Sequence, residues 1–160
     1  MESQVFSQRE FRNALARFAT GVTVVTAVQN GKLHAMTANS FVSVSLDPPL
    51  VLVSLDIRSH MHLILPAVGR YGISVLAEHQ KALSHHFAGR PIGETDIRFI
   101  KRAGTMLLDG ALAHFVVKVF RTHPAGDHTL YVGRVEYFEY REEKPLLFYA
   151  GDYQQLLIGG

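Results

Sequence analysis

Three stretches of this chain, residues 22–26, 41–46 and 50–55, are dominated by β-branched, aliphatic and small hydroxyl side chains, and Asn30-Gly31 and Asp47-Pro48-Pro49 separate them. β-Branched residues are stiff about χ1 and pack well on a pleated surface, so these stretches read as strands. Asn-Gly accepts the two positive-φ positions of a tight hairpin turn and is the strongest short-range hairpin signal in the sequence. Three strands in meander order are expected. Further strands are expected over 71–76, 112–122, 129–140 and 146–149, with a turn at Pro124-Ala125-Gly126-Asp127.

Helices are fewer. Ser7 and Glu10 have capping-box spacing, with Phe6 and Phe11 placed as a hydrophobic staple, and a helix over 8–19 follows. Phe11, Leu15 and Phe18 share one of its faces, which is expected to dock, and Gly21 suits a left-handed C-terminal position. A short helix over 60–68 is ended by Gly69, and another over 78–88 is closed by Gly89. Residues 90–110 carry Pro91, Gly93, Gly104 and Gly110 with little periodicity and read as an irregular excursion able to cover a site. No repeat, linker or composition shift marks a boundary. Residues 1–160 therefore read as a single domain, an antiparallel barrel with helices packed outside.

Composition excludes several functions. The chain has no cysteine, which removes disulfides, thiolate catalysis and thiolate metal sites, so redox chemistry would need a borrowed cofactor. Sixteen basic residues against fourteen acidic ones leave a net charge of +2, and without a Lys/Arg run no nucleic-acid partner is expected. No apolar run approaches the roughly 18 residues of a membrane helix, and the N-terminus, with Glu2, Gln4, Arg9 and Glu10, lacks a signal-peptide core. A cytoplasmic protein with no membrane partner is expected. Nine histidines invite a metal, but His60 and His62 are two apart, which are different helix faces, and no His-Glu-x-x-His motif accompanies His79, His85 and His86. No metal is expected. No Gly-x-Gly-x-x-Gly or Walker loop is present, so a nicotinamide nucleotide would have to bind without a Rossmann domain.

Thr37, Ala38, Asn39 and Ser40 offer hydrogen-bonding groups without bulk before the strand at 41–46, and Arg58 and Ser59 follow the strand at 50–55 with a cation and a hydroxyl. This order fits a flavin nucleotide, with the ring edge at 37–40, Ser54 and Leu55 nearby, and phosphate at Arg58 and Ser59. Ser59 would also open the helix at 60–68, whose N-terminus favours an anion, although a plain N-cap accounts for it equally. Phe87-Ala88-Gly89 is explained as readily by a core phenylalanine and a helix-ending glycine. His128 could be a surface histidine at a hairpin, and Tyr149 and Tyr153 could be barrel-edge aromatics.

The string Thr37-Ala38-Asn39-Ser40-Phe41-Val42-Ser43-Val44-Ser45, with Asp47-Pro48-Pro49-Leu50-Val51 and Ser59, resembles the small flavin reductases that supply reduced flavin to two-component monooxygenases. The resemblance extends to Phe11-Arg12, Phe18-Ala19-Thr20-Gly21-Val22-Thr23, Leu83 to Gly89, and Gly126-Asp127-His128. It implies a mainly β, antiparallel split β-barrel that forms a homodimer with flavin near the subunit interface. It implies FAD or FMN as flavin, NADH or NADPH as reductant, and a flavin-dependent monooxygenase reached by diffusing reduced flavin. Phe87 and Ala88 would approach the flavin, His128 would position the nicotinamide, and Gly151 and Tyr153 would lie beside it. Direct hydride transfer needs no protein nucleophile, so no catalytic residue is expected. The segment Glu94 to Lys101 departs from the Asp-Arg-Phe pattern of these reductases, which puts loop contacts there in doubt. Two alternatives stay open: a flavoprotein that retains FMN as a carrier or oxidase relative, and a non-catalytic split-barrel module. His128 separates the reductase from the carrier.

Overall fold

The computed structural model describes residues 5–93 and 96–159. In chain order the elements are α1 (Gln8–Leu15), β1 (Thr20–Gly21), β2 (Thr23–Gln29), β3 (Lys32–Ala38), β4 (Phe41–Leu46), β5 (Pro49–Asp56), α2 (His60–Val68) and β6 (Arg70–Val75). A 3₁₀ turn at Glu78–Gln80 leads into α3 (Lys81–Phe87), followed by β7 (Phe99–Arg102), β8 (Thr105–Leu108), β9 (Ala113–Ala125), β10 (His128–Tyr140), β11 (Leu146–Tyr149) and β12 (Asp152–Gln155).

Seven strands form one antiparallel sheet in the order β3-β2-β6-β9-β10-β5-β4. Its two edge strands, β3 and β4, are consecutive in the chain, so the two-residue step Asn39-Ser40 carries the chain from one edge of the sheet to the other. The curled sheet is an antiparallel split barrel. The expected meander is corrected accordingly: β2 and β3 pair through the Asn30-Gly31 turn, both residues at positive φ, while β4 and β5 pair at the far edge. β3 itself was hidden because Lys32, His34 and Thr37 interrupt its apolar alternation.

β2 is buried on both faces, which its β-branched sequence allows. Val25 and Ala27 enter the main core with Val53, Leu55, Tyr71, Ile73, Val117 and Tyr131. α2 closes that core with Met61, Ile64 and Leu65, each worth about 1.5–3 kcal/mol on burial. On its other face, Val24 joins Val22, Leu76, Leu108 and Leu146 in a second cluster that also packs Leu83, Phe87, Phe99, Phe148 and Tyr153. The second cluster is what brings α3 and the β11–β12 hairpin onto the outside of the sheet.

Several expectations are corrected by the backbone. α1 stops at Leu15 because the N–H groups of Arg17 and Phe18 turn back to the third residue before them and unwind the last turn. Gly21 pairs with Leu147 as part of β1 and is not a helix terminator. The Phe6–Phe11 staple and the Ser7 cap both form, yet α1 buries no residue, and Phe11, Leu15 and Phe18 remain 57, 60 and 80% exposed. Within residues 90–110 the β7–β8 hairpin turns at Ala103-Gly104, both at positive φ, so much of that stretch is regular. Glu94 and Thr95, within the segment that departs from the reductase pattern, lie outside the described residues, as does the stretch before Val5.

Gly72 shows how tightly β8 is pressed on the sheet. A Cβ there would sit 2.6 Å from Leu107 Cδ2 and from Thr26 Oγ1, and Thr26 Oγ1 donates to the Met106 carbonyl at 2.5 Å. Gly72→Ala is expected to cost about 1–3 kcal/mol by overpacking, read as a lower denaturant midpoint at unchanged slope.

Candidate functional site

The Asn39-Ser40 step is fixed from both sides. Ser40 Oγ donates to the Ser54 carbonyl at 2.6 Å, and the Ser54 N–H donates back to the Ser40 carbonyl at 3.2 Å. Thr37 Oγ1 donates to the Ser84 carbonyl at 2.7 Å, and Thr23 Oγ1 donates to the Ala38 carbonyl at 2.6 Å. The hydroxyl protons of Thr37 and Ser40, expected from sequence to face a ligand, are therefore spent inside the chain. Among the described residues, the side-chain amide of Asn39 and the N–H groups of Asn39 and Ser40 have no partner in the chain, which leaves them as the corner's donors.

Asn39 borders three adjoining cavities. One of about 220 Å³ is lined by Thr37, Ala38, Asn39, Ser84, Ala88 and Tyr153, together with Val22 and Phe148. A larger one, about 470 Å³, runs from Phe18 and Thr20 across Asn39 and Ser40 to Phe41 and Val42. The third, about 310 Å³, lies under Arg12, Leu15 and Phe18. Thr20 borders the second and third, and its buried hydroxyl has no hydrogen-bond partner among the described residues. Apolar walls with a few free donors suit a flat aromatic ring with polar edges.

From Ser40 the site continues along the β5–β10 ladder. Ser54 faces Leu130, and two residues on, about 7 Å along β5, Asp56 faces His128 directly across the ladder, so Ser54, Asp56 and His128 share the outer face. Leu55 points the other way and is spent in the main core. Phe87 likewise packs on Phe99 at 6.1 Å in the second cluster, so its ring serves the core rather than the groove.

Past β5 the chain turns on an ion pair. Arg58 Nε and Nη2 donate to the two Asp56 carboxylate oxygens at 3.1 and 2.8 Å, and the Arg58 N–H adds a third bond at 2.8 Å. The Arg58 side-chain hydrogen bonds, helped by its N–H, hold the Asp56 carboxyl well below the usual carboxylate range. Ser59 caps α2 by accepting from the His62 N–H at 3.2 Å. His128 Nδ1 lies 2.8 Å from Asp127 Oδ1. A carboxylate only accepts, so Nδ1 carries the proton and a neutral ring presents Nε2 as an acceptor. The Ile57 N–H bonds the Asp127 carbonyl, which ties the Arg58-Ser59 turn to the β9–β10 tip bearing His128.

The structure thus joins Thr37, Ala38, Asn39, Ala88 and Tyr153 at one cavity, sets Ser40 with Asn39 at the adjoining larger one, and places Ser54, Arg58, Ser59 and His128 along the edge that continues from them. Gly151 sits apart, at the positive-φ turn of β11–β12. Ser84, Thr20 and Phe148 were missed. Ser84 had a signal: Gln80, Ser84 and Phe87 repeat at i, i+4, i+7, and two polar residues on the buried face of a helix call for partners.

A split barrel with a donor-lined apolar cleft at its strand corner is a fold and site suited to a flat, polar-edged cofactor. The flavin reductase like domain family matches residues 15–157, and the chain belongs to that family. It is 50% identical over 152 residues to an NADH-dependent flavin reductase of Rhodococcus sp, covering 93% of this chain and 86% of that protein. Among solved structures, the flavin reductase PheA2 in its native state superposes with a TM-score of 0.92 at 43% identity, covering 95% of this chain and 99% of that one. The styrene monooxygenase flavin reductase from Pseudomonas putida S12 follows at 0.87 and 43%, covering 93% and 98%.

Because its carboxyl is depressed in the folded protein, Asp56 contributes a stabilisation that is complete above the unfolded carboxylate value and is lost only as pH falls through the lower folded one. Its side-chain carboxyl NMR shift is therefore expected to stay flat from pH 8 to pH 4 and below. In Arg58→Ala, which removes the guanidinium but keeps the backbone N–H bond, it should titrate higher, between its wild-type position and the ordinary Asp value of about 3.9.

Proposed function

We propose that this protein is an NADH:flavin oxidoreductase that reduces FAD or FMN by direct hydride transfer and releases the reduced flavin to a separate flavin-dependent monooxygenase. Residues 1–160 act as one flavin reductase-like domain, in the cytoplasm. The observation that carries the reading is the Asn39-Ser40 corner, where unpartnered donors meet an apolar cleft in a chain of this family. When bound there, the flavin supplies a ring that accepts hydride at N5 and passes electrons on.

The chain's own part is to bind and orient. Asn39 and the Ser40 N–H would hold the polar edge of the ring, and Thr20 offers its buried hydroxyl from the facing wall. Arg58, Ser59 and the first N–H groups of α2 would meet phosphate, with the Asp56 fork keeping the guanidinium in place. His128, held in one tautomer by Asp127, would position the nicotinamide nucleotide beside this edge. None of these groups attacks anything.

The working unit is a homodimer. Val42, Val44 and Leu46 point outward from edge strand β4, Leu46 98% exposed, and the apolar face of α1 is equally bare. The 470 Å³ cavity lies between these two surfaces, lined by Phe18 on one side and Val42 on the other. A second copy seated there would bury both and close the cleft. Leu46→Asp touches nothing in the single chain, so it should fold normally yet halve the mass by light scattering and raise the Michaelis constant for flavin.

The activity itself is tested anaerobically with catalytic protein, excess FAD, FMN or riboflavin, and NADH or NADPH, following loss of oxidised-flavin absorbance. Many turnovers of free flavin per chain are expected, with NADH preferred. His128→Ala should raise the Michaelis constant for NADH roughly fivefold, the value of one hydrogen bond, and leave that for flavin nearly unchanged. Reduction of only one equivalent of retained flavin would favour the carrier, and no reduction by folded protein the non-catalytic module.

A further inference from the structure

In the β11–β12 hairpin, β11 is tied to the body of the protein by the Leu146 and Ala150 N–H groups, which bond the Leu76 and Ala16 carbonyls, whereas β12 is the outer strand. Among the described residues β12 pairs with β11 alone, and β11 in turn pairs with the two-residue β1. Within the second cluster that packs the hairpin beside α3, one side chain adds a side-chain hydrogen bond between them. The Tyr153 hydroxyl lies 2.6 Å from Ser84 Oγ, a side chain with no exposed surface in the middle of α3. The Tyr153 ring is packed edge-on by His85 at 4.8 Å and Phe148 at 5.4 Å, with Lys81 Nζ 5.6 Å from its centre. The carbonyl of the same Ser84 accepts the Thr37 hydroxyl. Three separate elements, β3, α3 and β12, therefore meet at Ser84, and Thr37, Ser84 and Tyr153 all line the 220 Å³ cavity beside Asn39.

We propose that the Tyr153–Ser84 hydrogen bond is a latch that holds the C-terminal hairpin as a wall of the cleft, making Tyr153 and Ser84 positioning residues that set its affinity for flavin. The inference rests on the reading of the cleft as the flavin site. Neither residue takes part in hydride transfer. Ser84 is buried, so a hydroxyl left there without its partner is disfavoured, and the bond keeps the hairpin closed more firmly than ring packing alone. With the latch open, the wall opposite Thr37 and Asn39 would drift while the donors at the corner stay in place.

Two readouts on Tyr153→Phe, which keeps the ring contacts, test this. Hydrogen exchange of the β11–β12 amides should quicken about fivefold, the effect of one hydrogen bond, while β2 and β6 amides are unchanged. The Michaelis constant for flavin should rise by a similar factor with kcat within twofold and that for NADH unchanged. Ser84→Ala should do the same, and the double variant should be no worse than Tyr153→Phe, because both partners act through one bond. Unchanged exchange in the hairpin overturns the latch. Additive losses in the double variant, or a rise confined to NADH, overturn its role in flavin affinity. If the wild-type protein turns over no flavin, the functional reading fails, and the exchange data still decide the latch. Should Tyr153→Phe not fold, Ser84→Ala carries the same two readouts.

Discussion

The reciprocal hydrogen bonds between Ser40 and Ser54 hold the structure's defining step. At that point the chain passes between the two edge strands of a seven-stranded sheet in two residues, and both backbone and side chain of Ser40 are locked to β5. An unpinned corner would leave β3 and β4 as loose edges, and the clefts that converge on Asn39 would have no common wall. With it pinned, Asn39 is the residue that projects between them, its amide free because its neighbours' hydroxyls are already used. Rigidity at Thr37 and Ser40 is thus the condition for availability at Asn39.

The same division of labour recurs along the groove. Asp56 does not face a ligand; it fixes Arg58 by a two-pronged ion pair and is pushed far below the ordinary carboxylate range in doing so. Asp127 fixes one tautomer of His128. Ser59 satisfies one amide of α2 and leaves the rest of its first turn open. For Arg58 and His128 a carboxylate one or two residues away orients the group that would meet flavin phosphate or nicotinamide, so that less side-chain entropy remains to be lost on binding.

Much of this was legible from residue order. Asn30-Gly31 forms its hairpin, Ser59 its cap, Gly69 its left-handed helix end, and the run at 37–40 lies where the cavities meet. What escaped depends on contacts distant in sequence. β3 and β12 are edge strands with polar residues, so their pattern is weak, and β7–β8 sits in a stretch whose glycines signalled a loop but built a hairpin. The direction of Leu55 and Phe87 into the two cores is set by sheet register and by the packing of α3, neither of which a local window contains. The bare face of α1 is the reverse case: its apolar spacing suggested a docking face, yet in the single chain the helix buries no residue.

The central claim is that flavin binds at the Asn39-Ser40 corner, and amide hydrogen exchange with and without excess FMN measures it directly. The account expects protection concentrated at residues 37–41, at 54–60 and on β12, with none at the charged cavity around Arg102, His114 and Arg141. Protection centred on that charged cavity, or spread evenly over the barrel with the corner unchanged, would contradict it.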